Sequence, residues 1–166
     1  MRLLALVIMV PALACSTDES NDPEVDGGAV EGLVPANSAA LFDYLTAGEY
    51  LEYEAESEVH VSAGPHGSGV RTFLTPDLAA SLAAGASEHP VGAAAIKELY
   101  AADHTTVTGW AAMVKIAEGT AGSSWYFYEV FSTTNGSNPI EGNGRSLCTG
   151  CHSSGADFVR VGYPLL

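Results

Sequence analysis

Residues 124–132 read "SWYFYEVFS". Trp125, Phe127, Glu129 and Phe131 alternate with Tyr126, Tyr128 and Val130. That period of two predicts a β-strand whose one face sets a carboxylate among three aromatic rings. Two more strand-like stretches precede it, "GAAAIKELYA" (92–101) and "TVTGWAAMVKIA" (106–117), with only "ADHT" and "EGTAGS" between them. Successive strands joined by turns this short pair antiparallel.

Upstream, "SEVHVSAGPHGSGVRTFLT" (57–75) has β-branched and aromatic residues on either side of a Gly and Pro cluster, which predicts a hairpin with its loop near residues 63–69. "ALFDYLTAGEYLEYEAE" (40–56) carries Leu41, Phe42, Leu45, Tyr50 and Leu51 on an irregular helical stripe. In "TPDLAASLAAG" (75–85), Thr75 stands as N-cap, Pro76 at the first helical position and Gly85 as the stop of a short helix. No internal repeat is present. The expected fold is α+β, an antiparallel β-sheet with a few helices and a C-terminal loop that holds the cysteine motif.

The chain begins "MRLLALVIMVPALAC", one arginine, an apolar run and small residues before a cysteine. This is the layout of a secretory signal peptide, too short to span a bilayer comfortably. Its close before Cys15 matches a bacterial lipobox, so residues 1–14 are expected to be removed and Cys15 to carry the lipid that holds the protein to a membrane. Residues 15–40 include Asp18, Glu19, Asp22, Glu24, Asp26 and Glu31 with no basic residue, and are expected to form a disordered acidic tether. Residues 41–166 then make one domain. The expected location is the bacterial cell envelope, facing the periplasm or outer surface. Twenty acidic against six basic residues give a formal net charge of -14. That excludes nucleic acid as a partner, since phosphate binding needs clustered Lys and Arg.

With Cys15 assigned to lipid, two cysteines remain, both in "LCTGCHSSGADF" (147–158). Cys148, Cys151 and His152 form C-x-x-C-H, the attachment signature of c-type haem: two thiols add to the haem vinyl groups and the adjacent imidazole becomes the iron's axial ligand. A zinc site would need a second ligand pair at matching spacing. A thioredoxin-like pair would need a strand before it and a helix after it, whereas "EGNGRSL" and "SSGADF" read as loop. A plain disulfide leaves His152 without a purpose. The motif fixes haem c with His152 as the metal ligand, but the group on the iron's other side decides between electron transfer, gas binding and catalysis.

"GPHGSGVRTFL", "HPVGAAAIKELY", "GWAAMVKI", "SSWYFYEVF" and "LCTGCHSSGADFVR", in that order, resemble the cytochrome P460 family, which includes the β-sheet cytochromes c'-beta. The resemblance covers roughly residues 41–166. It implies a homodimeric sheet protein with one haem per chain and a five-coordinate iron bound through His152. One branch, an oxidoreductase of hydroxylamine and nitric oxide, links a lysine to the haem ring, and Lys97 matches that position. The other branch binds nitric oxide without the link. Arg71 looks like a family basic residue near the haem. Hydroxylamine-oxidising members carry a carboxylate on the strand that here reads "WAAMVKI", where Ala111 stands; Glu129 is the carboxylate available in its place. A bis-histidine electron carrier would need one of His60, His66, His89 or His104, and His66 and His89 read as turn residues.

The expected function is thus a lipid-anchored c-type cytochrome that binds nitric oxide or oxidises hydroxylamine, with an electron-transfer haem protein without turnover as the alternative. A redox partner protein is implied in either case.

Overall fold

The computed structural model describes residues 33–166. The signal peptide, Cys15 and most of the expected tether lie outside the described residues. The three expected strands are β4 (Ala94–Tyr100), β5 (Val107–Lys115) and β6 (Trp125–Val130). They form an antiparallel meander with β3 (Gly69–Leu74). Short strands β1 (Glu54–Ala55) and β2 (His60–Val61) both pair with β3, and β7 (Ile140–Asn143) pairs with β6. The result is a seven-stranded antiparallel sheet in the order β1-β3-β4-β5-β6-β7, with β2 beside β1 on the same neighbour. Three helices, α1 (Ser38–Ala47), α2 (Pro76–Ala83) and α3 (Ser146–His152), complete the α+β fold.

Helix α1 starts inside the stretch expected to be tether. Asn37 caps it by accepting from the Ala40 N–H at 3.0 Å, Val34 just before it is buried, and Gly48 closes it with φ +73°. Ten residues are too few for a stable isolated helix, so α1 depends on docking. Leu41, Tyr44 and Leu45, at helical spacing, enter a core with Ile96, Trp110, Tyr128 and Val130. Full burial of each leucine stabilises by roughly 1.5–3 kcal/mol. On this face the Glu98 carboxylate accepts from Tyr50 at 2.7 Å and Tyr100 at 2.5 Å, and Trp110 donates to Tyr50 at 2.9 Å. Glu98 therefore faces away from Lys97.

Thr75 takes the N-cap position of α2, as expected, but its hydroxyl does not cap. It instead accepts from the Ala94 N–H at 2.9 Å and donates to the Ala94 carbonyl at 3.2 Å, joining the start of α2 to β4. Leu78 and Ala79 of α2 pack on the second face of the sheet with Leu74, Met113, Trp125 and Phe127. The C-terminal segment, through Phe158, Val159, Val161 and Tyr163, covers the same end. Phe131 follows the end of β6 and is exposed, so the strand's carboxylate shares its face with two aromatic residues, Trp125 and Phe127, and not three.

A buried ion pair locks that segment down. Lys115, at the end of β5, donates to Asp157 at 2.5 Å with both side chains fully enclosed, and also to the Gly119 carbonyl at 2.7 Å. Asp157 further accepts from the His89 N–H at 2.9 Å and the Trp125 indole at 3.2 Å. Removing one partner leaves an uncompensated buried charge. Lys115→Met should therefore lose about 3–5 kcal/mol in urea unfolding, and adding Asp157→Asn to it should recover part of the loss, because no stranded carboxylate then remains.

Candidate functional site

Helix α3 follows β7 through Gly144, whose φ of +58° and tight approach to the Ser123 backbone favour glycine. The motif expected in a loop is thus helical. Cys148, Cys151 and His152 stand three and four residues apart, which puts them on one side of the helix. Cys148 is half-buried beside the second core and Cys151 is exposed; neither forms a disulfide. Burial pushes the Cys148 thiol up in pKa, with the Glu129 carboxylate adding to the effect.

The His152 ring lies edge-on to Phe127, with ring centres 5.5 Å apart. Its Nδ1–H donates to the Phe158 carbonyl at 2.9 Å, so Nε2 is the nitrogen left for chemistry. Burial holds this imidazole below its ordinary pKa, and His66, Lys97 and Arg160 push the same way against the Phe158 hydrogen bond. The carbonyl is aimed by unusual backbone: Asp157 and Phe158 have φ of +43° and +67°. Non-glycine residues there cost of order 1–3 kcal/mol each. The three donors on Asp157 supply the compensating interactions.

Register makes the floor of the site. Thr72, Lys97, Ala111, Glu129 and Ile140 pair in sequence across β3 to β7 and so form one row on the face that carries Phe127. Val70 and Leu99 pack against Ala111 beside this row. Ala111 is small, and between the longer Lys97 and Glu129 it leaves the middle of the row low. The α3 segment stands over Phe127 on one flank. On the other flank the loop 62–68 comes down, Gly67 lying against Leu99 and His66 donating from Nδ1 to Glu129 Oε1 at 2.7 Å.

Lys97 is half-buried and takes no part in the three ion pairs among the described residues. Burial lowers its pKa, Arg160 adds to that, and Glu56 and Glu129 oppose it. Arg71 is not brought to this face. It alternates with Val70 and Thr72, stacks its guanidinium over Phe73 at 5.1 Å and donates from Nε to the Glu56 carbonyl at 2.8 Å. Alternation along β3 thus puts the Arg71 side chain on the face opposite Lys97.

No family model and no curated protein matches this chain.

Of the four candidate histidines, His66 is brought beside His152, their ring centres 6.2 Å apart. His60 pairs with Glu56 at 3.2 Å, and His104 sits in a turn with φ +54°. His89 is buried against Trp125 with Nδ1 and the Ser81 hydroxyl 2.8 Å apart. Reading His66 as a turn residue identifies its loop but not where the loop folds. Asp157 and Phe158 also escape sequence reasoning. The available signal for Asp157 is Lys115, a lone cation closing the buried alternation of Gly109, Ala111 and Met113.

Burial holds His89 neutral, below the ordinary imidazole pKa, against the opposing pull of Asp157. The unfolded chain then binds a proton more readily, so stability is complete above about pH 7 and falls as pH drops through the unfolded value of about 6.5. His89→Gln should flatten the slope of Tm against pH between about pH 7 and 5.5 relative to the parent protein.

Proposed function

We propose that this chain is a c-type haem protein of the cytochrome P460 kind whose site takes small nitrogen species, nitric oxide first among them. The observation that carries the reading is the arrangement on α3: two unpaired thiols and a histidine on one side of the helix, with Nδ1 of His152 committed to the Phe158 carbonyl. A metal-binding histidine characteristically donates its other ring N–H to such an acceptor, which fixes the tautomer and the ring orientation. The residues fit the group. Cys148 and Cys151 would hold it through thioether bonds, and His152 would ligate its iron through Nε2. Bound there, haem supplies a redox-active iron able to take a diatomic ligand.

The chain's own side chains do the rest. Val70, Leu99 and Ala111 give the floor an apolar half that excludes water, which favours uncharged diatomic ligands. Lys97 projects from the same row, its ammonium disfavoured by burial, and a bond from its nitrogen to the haem ring would define the hydroxylamine-oxidising branch. Glu129 is the carboxylate of the row, yet it is engaged by His66 and not free as a general base. Nitric oxide should therefore bind the ferrous protein readily, and hydroxylamine should be oxidised slowly or not at all.

Haem should stay on the denatured chain in a gel stained for peroxidase activity and should disappear from it when Cys148 and Cys151 are both changed to Ser. Haem that extracts into acidified organic solvent would contradict the reading. The mass of the haem peptide after digestion decides whether Lys97 is attached. Brisk hydroxylamine oxidation with an artificial electron acceptor would move the protein to the catalytic branch.

Independently of the haem, the lipobox-like "PALAC" supports a membrane anchor through lipid on Cys15. No helix among the described residues is long and apolar enough to cross a bilayer. Cys15→Ser should shift the protein from the membrane to the soluble fraction, and unchanged membrane association would exclude the anchor.

A further inference from the structure

His66 and His152 reach the site from opposite flanks, one on the hairpin loop between β2 and β3 and the other on α3. Their rings are 6.2 Å apart at the centres with planes at 73°. Two imidazoles that bind one metal from opposite sides through nitrogens about 2.0 Å from it hold their ring centres roughly 6 Å apart. A ligand molecule sandwiched between the metal and one of the rings would widen that spacing.

The two rings are also held alike. Nδ1 of His152 donates to the Phe158 carbonyl at 2.9 Å, and Nδ1 of His66 donates to Glu129 at 2.7 Å. Each ring is left with Nε2 as its free nitrogen, in the orientation-fixing pattern that metal-bound histidines use. A pair serving only to fasten the loop would not require a second histidine at this distance.

Nor is His66 on a loose tip. The Ser62 N–H bonds the Ser68 carbonyl, Ser62 and Gly64 exchange hydrogen bonds, and the Gly67 N–H returns to the Pro65 carbonyl with Gly67 at φ +82°. The loop is closed on itself immediately around His66.

We propose that His66, oriented by Glu129, is a second protein ligand for the site: with haem bound, Nε2 of His66 would hold the iron together with His152, and an external ligand would have to take its place. The inference rests on the haem reading above and departs from the five-coordinate iron that the family resemblance implies. It makes the resting protein a bis-histidine centre. Nitric oxide must then compete with a resident side chain, and apparent affinity falls by the fraction of molecules in which His66 is off the metal.

The test uses the full-length haem-loaded protein. Absorption and EPR spectra of the ferric parent should be those of a six-coordinate low-spin iron. His66→Ala should be high-spin, free imidazole should restore the low-spin spectrum, and nitric oxide should bind ferrous His66→Ala at least about tenfold faster than the parent. Glu129→Gln should remain low-spin with its reduction potential raised, because the amide makes the imidazole a weaker donor than the carboxylate does. A parent protein with covalent haem and a high-spin ferric spectrum overturns this inference and leaves the haem reading standing. A low-spin parent whose spectrum survives His66→Ala overturns it too, by assigning the ligand elsewhere. Absence of covalent haem in the parent removes the haem reading itself. The parent spectrum decides even where His66→Ala does not load haem.

Discussion

The Asp157 carboxylate holds the candidate site in shape. It lies under the C-terminal segment and accepts from Lys115 at the end of β5, Trp125 at the start of β6 and the backbone of His89 before β4. Burying a carboxylate and an ammonium costs several kcal/mol per ion after relaxation, and only good geometry with every lone pair occupied offsets it. Here two strands and a loop converge on one side chain. Its neighbour Phe158 inherits the geometry, since the left-handed backbone at both residues turns the Phe158 carbonyl onto His152. An ion pair that ties this segment to Lys115 at the end of β5 thus sets which nitrogen of His152 is free.

The sheet contributes a graded surface. One face is packed throughout with α1 and the Tyr50–Glu98–Tyr100 hydrogen bonds. The other is divided: α2 and the C-terminal segment cover the rows of Leu74, Met113 and Phe127, while the row of Lys97, Ala111 and Glu129 is left between two flanking segments. Lys97 and Glu129 stand two strands apart in that row, with the methyl group of Ala111 between them. Polar groups thus stand on either side of Ala111 in a floor whose adjoining residues, Val70 and Leu99, are apolar.

Much of this is legible in the sequence, and the parts that are not have physical reasons. Alternation in "SWYFYEVFS" and its two predecessors predicts three strands that the structure contains, because a sheet buried on both faces still keeps side chains at period two. Pro76 and Gly85 act through local backbone preference and mark helix ends for that reason, whereas the stripe read on to Tyr50 and Leu51 overruns the end of α1 at Gly48. The short α3 reads as loop because its seven residues include glycine and threonine and have no amphipathic stripe; it is held by what surrounds it. Arg71 shows what a resemblance leaves out without register: it looks like a family basic residue near the haem, and alternation puts its side chain on the face opposite Lys97. His66 and Glu129 are 63 residues apart, and only the docking of the hairpin loop on β6 joins them.

The clasp at Asp157 also has a place in time. β3 to β6 are joined by neighbour-to-neighbour pairings, whereas Asp157 meets its partners across 42 residues to Lys115 and 68 to His89. Loop-closure entropy opposes contacts of that span until the groups that reward them are assembled. Lys115 and Trp125 become adjacent only when β5 and β6 pair. Loop-closure entropy thus favours docking of Asp157, and with it the segment that follows the thiols of α3, after β5 and β6 have paired.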